Sequence, residues 1–117
     1  MTNRELLELA AKAAGYEWRK DIAEYRNDRG IVGLWIINPM ATGWNPLDTD
    51  GDALRLAGLL NIDLEINDMS IDTWVNAENY DDVVHVYEQC GDDKMVSIRR
   101  AIVLAAAELG KRTGGAA

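Results

Sequence analysis

Ile62-Asp63-Leu64-Glu65-Ile66, then Asn67-Asp68-Met69-Ser70, then Ile71-Asp72-Thr73-Trp74-Val75 is the stretch on which the fold turns. Successive side chains of a strand point to opposite faces. The first segment therefore puts Ile62, Leu64 and Ile66 on one side and Asp63 and Glu65 on the other, so that one face is buried and one is wet. In the second segment Ile71, Thr73 and Val75 share a face, opposite Asp72, Trp74 and Asn76. Only a four-residue turn sequence separates the two, and parallel strands need a crossover of a dozen or more residues, so the pairing is antiparallel. A loop through Glu78-Asn79-Tyr80-Asp81 leads to a third strand, Val83-Val84-His85-Val86-Tyr87-Glu88.

Working upstream, Ile31 to Ile37 is rich in β-branched and aromatic residues and predicts another strand. Asn27-Asp28-Arg29-Gly30 is a turn sequence, so residues 17–26 and 31–37 form a hairpin. Its first strand lies at an edge, because Arg19, Lys20 and Asp21 interrupt it. Residues 38–46 hold two X-Pro steps and a glycine and read as a loop. Three helices complete the chain, over residues 2–14, 49–60 and 95–109. Thr2 and Glu5 open the first as a capping box; Leu6, Leu9, Ala10 and Ala13 form its stripe; Gly15 stops it. Asp48 or Asp50 caps the second, which buries Ala53, Leu56, Ala57 and Leu60. The third carries Ile98, Ile102, Ala105 and Leu109 on one stripe and Gly110 at its stop. Alanines at 101, 105, 106 and 107 let it approach a neighbour closely. The expected class is α+β: an antiparallel sheet of about five strands layered by three helices, α-β-α sandwich-like.

Length and charge narrow the class of function. The chain has 117 residues and a formal charge of −8, with 48% hydrophobic and 27% charged residues. That is ordinary for one folded domain, expected over residues 1–112 with a disordered tail at 113–117. Cys90 stands alone, so no internal disulfide can form. No apolar run reaches the ~18 residues a membrane span needs, and the start reads as that of a cytoplasmic protein. The acidity opposes bulk nucleic-acid binding, which takes clustered Lys and Arg. Imitation of DNA is disfavoured as well, because the acids sit at helix starts rather than in long blocks.

No feature points to catalysis. One His and one Cys cannot build a structural zinc site. Aligning Asp48-Thr49-Asp50-Gly51-Asp52 on a calcium loop puts Pro46 and Ala57 where essential ligands belong. Cys90 precedes Asp92 and Asp93, acidic surroundings that do not suit a nucleophile. His85 reads as a sheet residue facing solvent or satisfied by a neighbour, while Ser70 and Ser97 take turn and cap positions. No cofactor is implied. The aromatics carry more. Trp35 is expected in the core, whereas Trp44 lies in the proline loop and Trp74 on a polar strand face; either covers the sheet or lines a pocket. Arg55 and Arg100, in early helical turns, are candidates for meeting an anion or for salt bridges.

Trp44-Asn45-Pro46-Leu47, followed by Asp52-Ala53-Leu54-Arg55, then Trp74-Val75-Asn76-Ala77 and the helix from Arg100 to Gly110, resembles the phage ABA sandwich domain family. The resemblance covers nearly the whole chain. It implies a small phage or prophage accessory protein and draws attention to Trp44, Asn45, Asp52, Arg55, Trp74 and Arg100. On that footing the expected function is counter-defence in the host cytoplasm. The chain would bind and sequester a nucleotide-type immune signal through Trp44, Asn45, Arg55, Trp74 and Arg100, and would self-associate as a homo-oligomer. The alternatives are an inhibitor that binds a host protein and a small hydrolase of such a signal.

Overall fold

A computed structural model describes residues 2–19, 25–26, 32–37, 40–76 and 83–114. In chain order its elements are α1 (Asn3–Ala14), β1 (Glu17–Trp18), β2 (Tyr25–Arg26), β3 (Val32–Ile37), β4 (Ala41–Trp44), α2 (Asp50–Leu60), β5 (Asp63–Ile66), β6 (Ser70–Asn76), β7 (Val83–Gln89) and α3 (Lys94–Gly114). The turn expected at 27–30, the loop at 78–81 and the last three residues of the tail lie outside the described residues.

The class read from the sequence is the class observed: three helices on antiparallel strands. All five expected strands are present, the first as two pieces, β1 and β2, and each piece pairs antiparallel with β3. The register breaks between Trp18↔Ile36 and Tyr25↔Gly33. The strands divide into two sheets rather than one. In the first, β1, β2 and β4 all pair with β3; the second runs β5-β6-β7. Strand β4 corrects the loop expected at 38–46. Ala41 to Trp44 pairs residue by residue with Ile37 to Leu34, because the apolar β3 offers a second edge whose backbone groups need partners.

The second sheet keeps the alternation of its sequence. Ile71, Thr73, Val75 and Val84 are buried, while Asp72, Trp74, His85 and Tyr87 occupy the other face. Thr73 is tolerated inside because its hydroxyl donates to the Val86 carbonyl at 3.3 Å. α3 packs on β6 and β7, α1 packs on β3, and the most extensive contact in the molecule joins α1 to α3. Contacts therefore run from one sheet through the helices to the other, and α3 is buried on nearly every side between Ala101 and Gly110. A helix enclosed in this way is apolar all round rather than striped.

Small residues make that enclosure possible. Ala10, Ala11, Ala105, Ala106 and Ala107 are all within 2% of complete burial. Gly110 does not stop α3, which continues to Gly114 and takes in two residues of the expected tail. A Cβ at position 110 would overlap the Leu9 carbonyl oxygen, so this glycine is where the α1 backbone crosses α3. Gly15 does stop α1, at φ 78°, and Thr2 Oγ1 accepts the Glu5 backbone N–H at 3.1 Å, as the capping box requires. At α2 the N-cap is Thr49 rather than Asp48 or Asp50, and its side chain makes no cap bond. Asp93 opens α3, accepting the Met95 N–H at 3.0 Å.

Candidate functional site

Trp44, Asn45 and Arg55 meet at one corner, between the end of β4 and the first turn of α2. The indole of Trp44 is 4% exposed and stands edge-on to Tyr16, ring centroids 5.7 Å apart at 82°. Asn45 is 3% exposed. Its Oδ1 accepts the Leu47 N–H at 3.1 Å, and its carbonyl accepts the Thr49 N–H at 2.9 Å and the Thr49 hydroxyl at 3.1 Å. Asp52 closes the corner: Oδ2 accepts the Asn45 N–H at 2.9 Å and Oδ1 accepts from Arg55 Nη2 at 2.8 Å. These bonds satisfy backbone groups that the turn into α2 would otherwise bury unpaired. A base could not lie on Trp44, which is buried, without opening the core around it, and Arg55 leans back on Asp52 with 72% of its side chain in solvent. The arrangement is that of a structural corner.

A cation that sequence reasoning missed ties this corner to α3. Arg99 Nε donates to the Leu47 carbonyl at 3.0 Å and Nη1 donates to Asp50 Oδ1 at 2.6 Å, with 14% of the side chain exposed. Its partners lie 52 and 49 residues away in the chain, too far for any local pattern to reveal. Arg100, the neighbour singled out instead, reaches Glu88 on β7 at 3.7 Å with 44% of its side chain exposed.

Trp74 is different. It lies on the outward face of the second sheet, half-buried, with the His85 imidazole stacked parallel to it at 5.0 Å and 13°. His85 Nε2 is 2.8 Å from Asp72 Oδ1. This fulfils the expectation of a histidine facing solvent and satisfied by a neighbour. Register places Asp63 beside Trp74 and His85, and Glu65 beside Asp72 and Tyr87. Tyr87 is 59% exposed. Trp74, His85 and Tyr87 thus share one open face with the carboxylates of Asp63, Glu65 and Asp72, and no register position of that face holds Lys or Arg. Arg100 is not part of it, because its partner Glu88 falls on the other face, with Val84 and Val86. The structure therefore splits the five expected ligand residues among a closed corner, a helix–strand salt bridge and an open face. Trp35, expected in the core, is half-buried between the fully buried Leu34 and Ile36 and points away from them.

Two hollows stand out among the described residues. One, of about 530 Å³, is an open cleft by Glu5, Glu8, Lys12 and Trp18. The other, of about 330 Å³, is an apolar groove between α2, β5 and the start of α3. No cluster of three or more His, Cys, Asp or Glu able to hold a metal occurs among the described residues, and none of their helices is long and apolar enough to cross a membrane. Comparison with known proteins found no matching protein-family model, no matching curated protein and no matching solved structure.

Proposed function

We propose that the chain is a non-enzymatic binding protein that takes a positively charged segment of a protein partner on the open face of its second sheet. The observation that carries this reading is the company Trp74 keeps. An indole, an imidazole and a phenol lie among three carboxylates on a face whose described register positions hold no Lys or Arg. Such a face suits Lys and Arg side chains twice over, through Coulomb attraction and through cation–π contact. It repels phosphate. Arg55 and Arg100, the cations expected to receive a phosphate, are already engaged by Asp52 and Glu88, and neither stands on the face with Trp74.

Within the phage accessory role that the resemblance implies, blockade of a host protein in the host cytoplasm is favoured over sequestration of a nucleotide-type signal. Hydrolysis of such a signal is disfavoured too, since His85, 48% exposed, lies on an open sheet face rather than in a closed cleft of the described residues. The test is retention. Purified protein is mixed with cyclic oligonucleotides, with cyclic ADP-ribose and with a lysine-rich peptide, and bound material is identified after denaturation. The expected result is peptide alone. Recovery of intact nucleotide would establish sequestration and recovery of altered nucleotide would establish hydrolysis; either contradicts the proposal.

A further inference from the structure

The surface that continues around the edge of the second sheet narrows the partner further. Strand β5 is the end of the order β5-β6-β7, and no other described strand pairs with it. Its ladder with β6 is in phase with the bond from the Asn67 N–H to the Ser70 carbonyl at 2.9 Å. In an antiparallel ladder hydrogen-bonded pairs alternate, so Asp63 and Glu65 spend their backbone groups on β6, while Leu64 and Ile66 turn theirs outward. An edge of this kind is a template for another strand.

The two faces flanking that edge are chemically opposite. On the outer face are the carboxylates of Asp63 and Glu65, both exposed. On the inner face Leu64 and Ile66 line the apolar groove of about 330 Å³, closed beyond by Ala53 and Leu54 of α2 and by Met95 and Ile98 of α3. Leu54, Ile66 and Met95 are 72%, 50% and 45% exposed, so apolar side chains are held in water beside open hydrogen-bonding groups. Any strand added here sends alternate side chains to the two faces.

Resting on the reading of the open face as a cation-binding surface, we infer that the partner binds as an added β-strand on β5, in an extended segment that alternates apolar with basic residues. Its apolar side chains enter the groove and its Lys or Arg side chains meet Asp63 and Glu65; its backbone bonds to Leu64 and Ile66. A second copy of this chain is the poorer occupant. Residues directly opposite in an antiparallel pair share a face, so two β5 strands would set Asp63 and Glu65 against the same carboxylates, a destabilising arrangement.

The experiment uses two capped heptapeptides of one composition, valine and lysine in strict alternation or in two blocks, with amide exchange followed by NMR. The alternating peptide is expected to slow exchange at Leu64 and Ile66 by about tenfold or more, as new strand pairing requires, and to bind at least about tenfold tighter than the block peptide. The double substitution D63K and E65K, at exposed positions, is expected to weaken the alternating peptide by about tenfold with the melting temperature kept, because opposite-charge pairs become like-charge pairs. If both peptides bind alike and Leu64 and Ile66 stay unprotected, strand addition is overturned while the cation-binding face stands. If neither binds, both readings fall. Protection of both amides in the free protein, together with a doubled mass, gives the edge to a second copy and overturns the inference.

Discussion

The corner at Trp44 and the face at Trp74 are made of the same parts: an indole, a second ring against it, and an aspartate holding a neighbour. At the corner the second ring meets the indole edge-on, and Asp52 ties down the backbone of a buried asparagine. On the face the second ring lies flat on the indole, and Asp72 holds a histidine that is half in solvent. What separates them is the direction each carboxylate serves. Asp52 is bonded inward, to the chain that must turn into α2, and its loss leaves a buried donor. Asp72 is bonded sideways, to the ring of a histidine that is 48% exposed. The first arrangement stabilises the fold, and the second is left with attractive potential to spend on something outside it.

The comparison is broken most directly by deleting the indoles. Trp44→Ala is expected to cost about 3–5 kcal/mol of stability, the range for emptying a large core site. Chemical denaturation should show a shifted midpoint with an unchanged slope. Asp52→Ala comes next, at about 1–3 kcal/mol, since the Asn45 N–H is buried and loses its carboxylate. Trp74→Ala is expected to cost only about 0.5–1.5 kcal/mol, the value of a stacked aromatic pair on an open face. A loss as large as that of Trp44 would mean that the face is core in disguise. Smallest are Asp72→Asn and Arg55→Ala, each within about 1 kcal/mol as exposed pairs usually are. Their order matters more than their size. Asp72→Asn should weaken capture of a lysine-rich peptide, and Arg55→Ala should leave it alone.

Much of this architecture was legible in the sequence, and the failures have physical reasons. Period-two alternation placed β5 and β6 and told which face of β6 is wet, because β6 has one buried side, while Ile66 at the end of β5 stays 50% exposed. Helical stripes and end signals placed α1 and α2 to within a residue or two. Strand β4 was illegible, since Ala41-Thr42-Gly43 has little strand character and only the vacant edge of β3 makes it pair. Gly110 was misread as a stop because a glycine that ends a helix and one that admits a neighbouring backbone look alike in one dimension. The division of the strands into two sheets is a long-range fact that local patterns do not carry. At the candidate site, the sequence drew attention to both tryptophans but could not sort them. That took the partners Tyr16, Asp52, Asp72 and His85, of which only Asp52 had been marked with them.

One paired measurement tests the separation of fold from function. Melting temperature and affinity for a lysine-rich peptide are recorded side by side for Trp44→Ala and Trp74→Ala. The predicted outcome is a crossing. Trp44→Ala melts far lower yet, in the temperature range where it is folded, binds as the wild type does. Trp74→Ala melts within about 10 °C of the wild type, the most its small energetic cost allows in a domain of this size, and loses about tenfold or more in affinity. If instead Trp74→Ala binds the peptide undiminished, or both variants lose stability and affinity in step, the open face of the second sheet is not a binding surface and the account is contradicted.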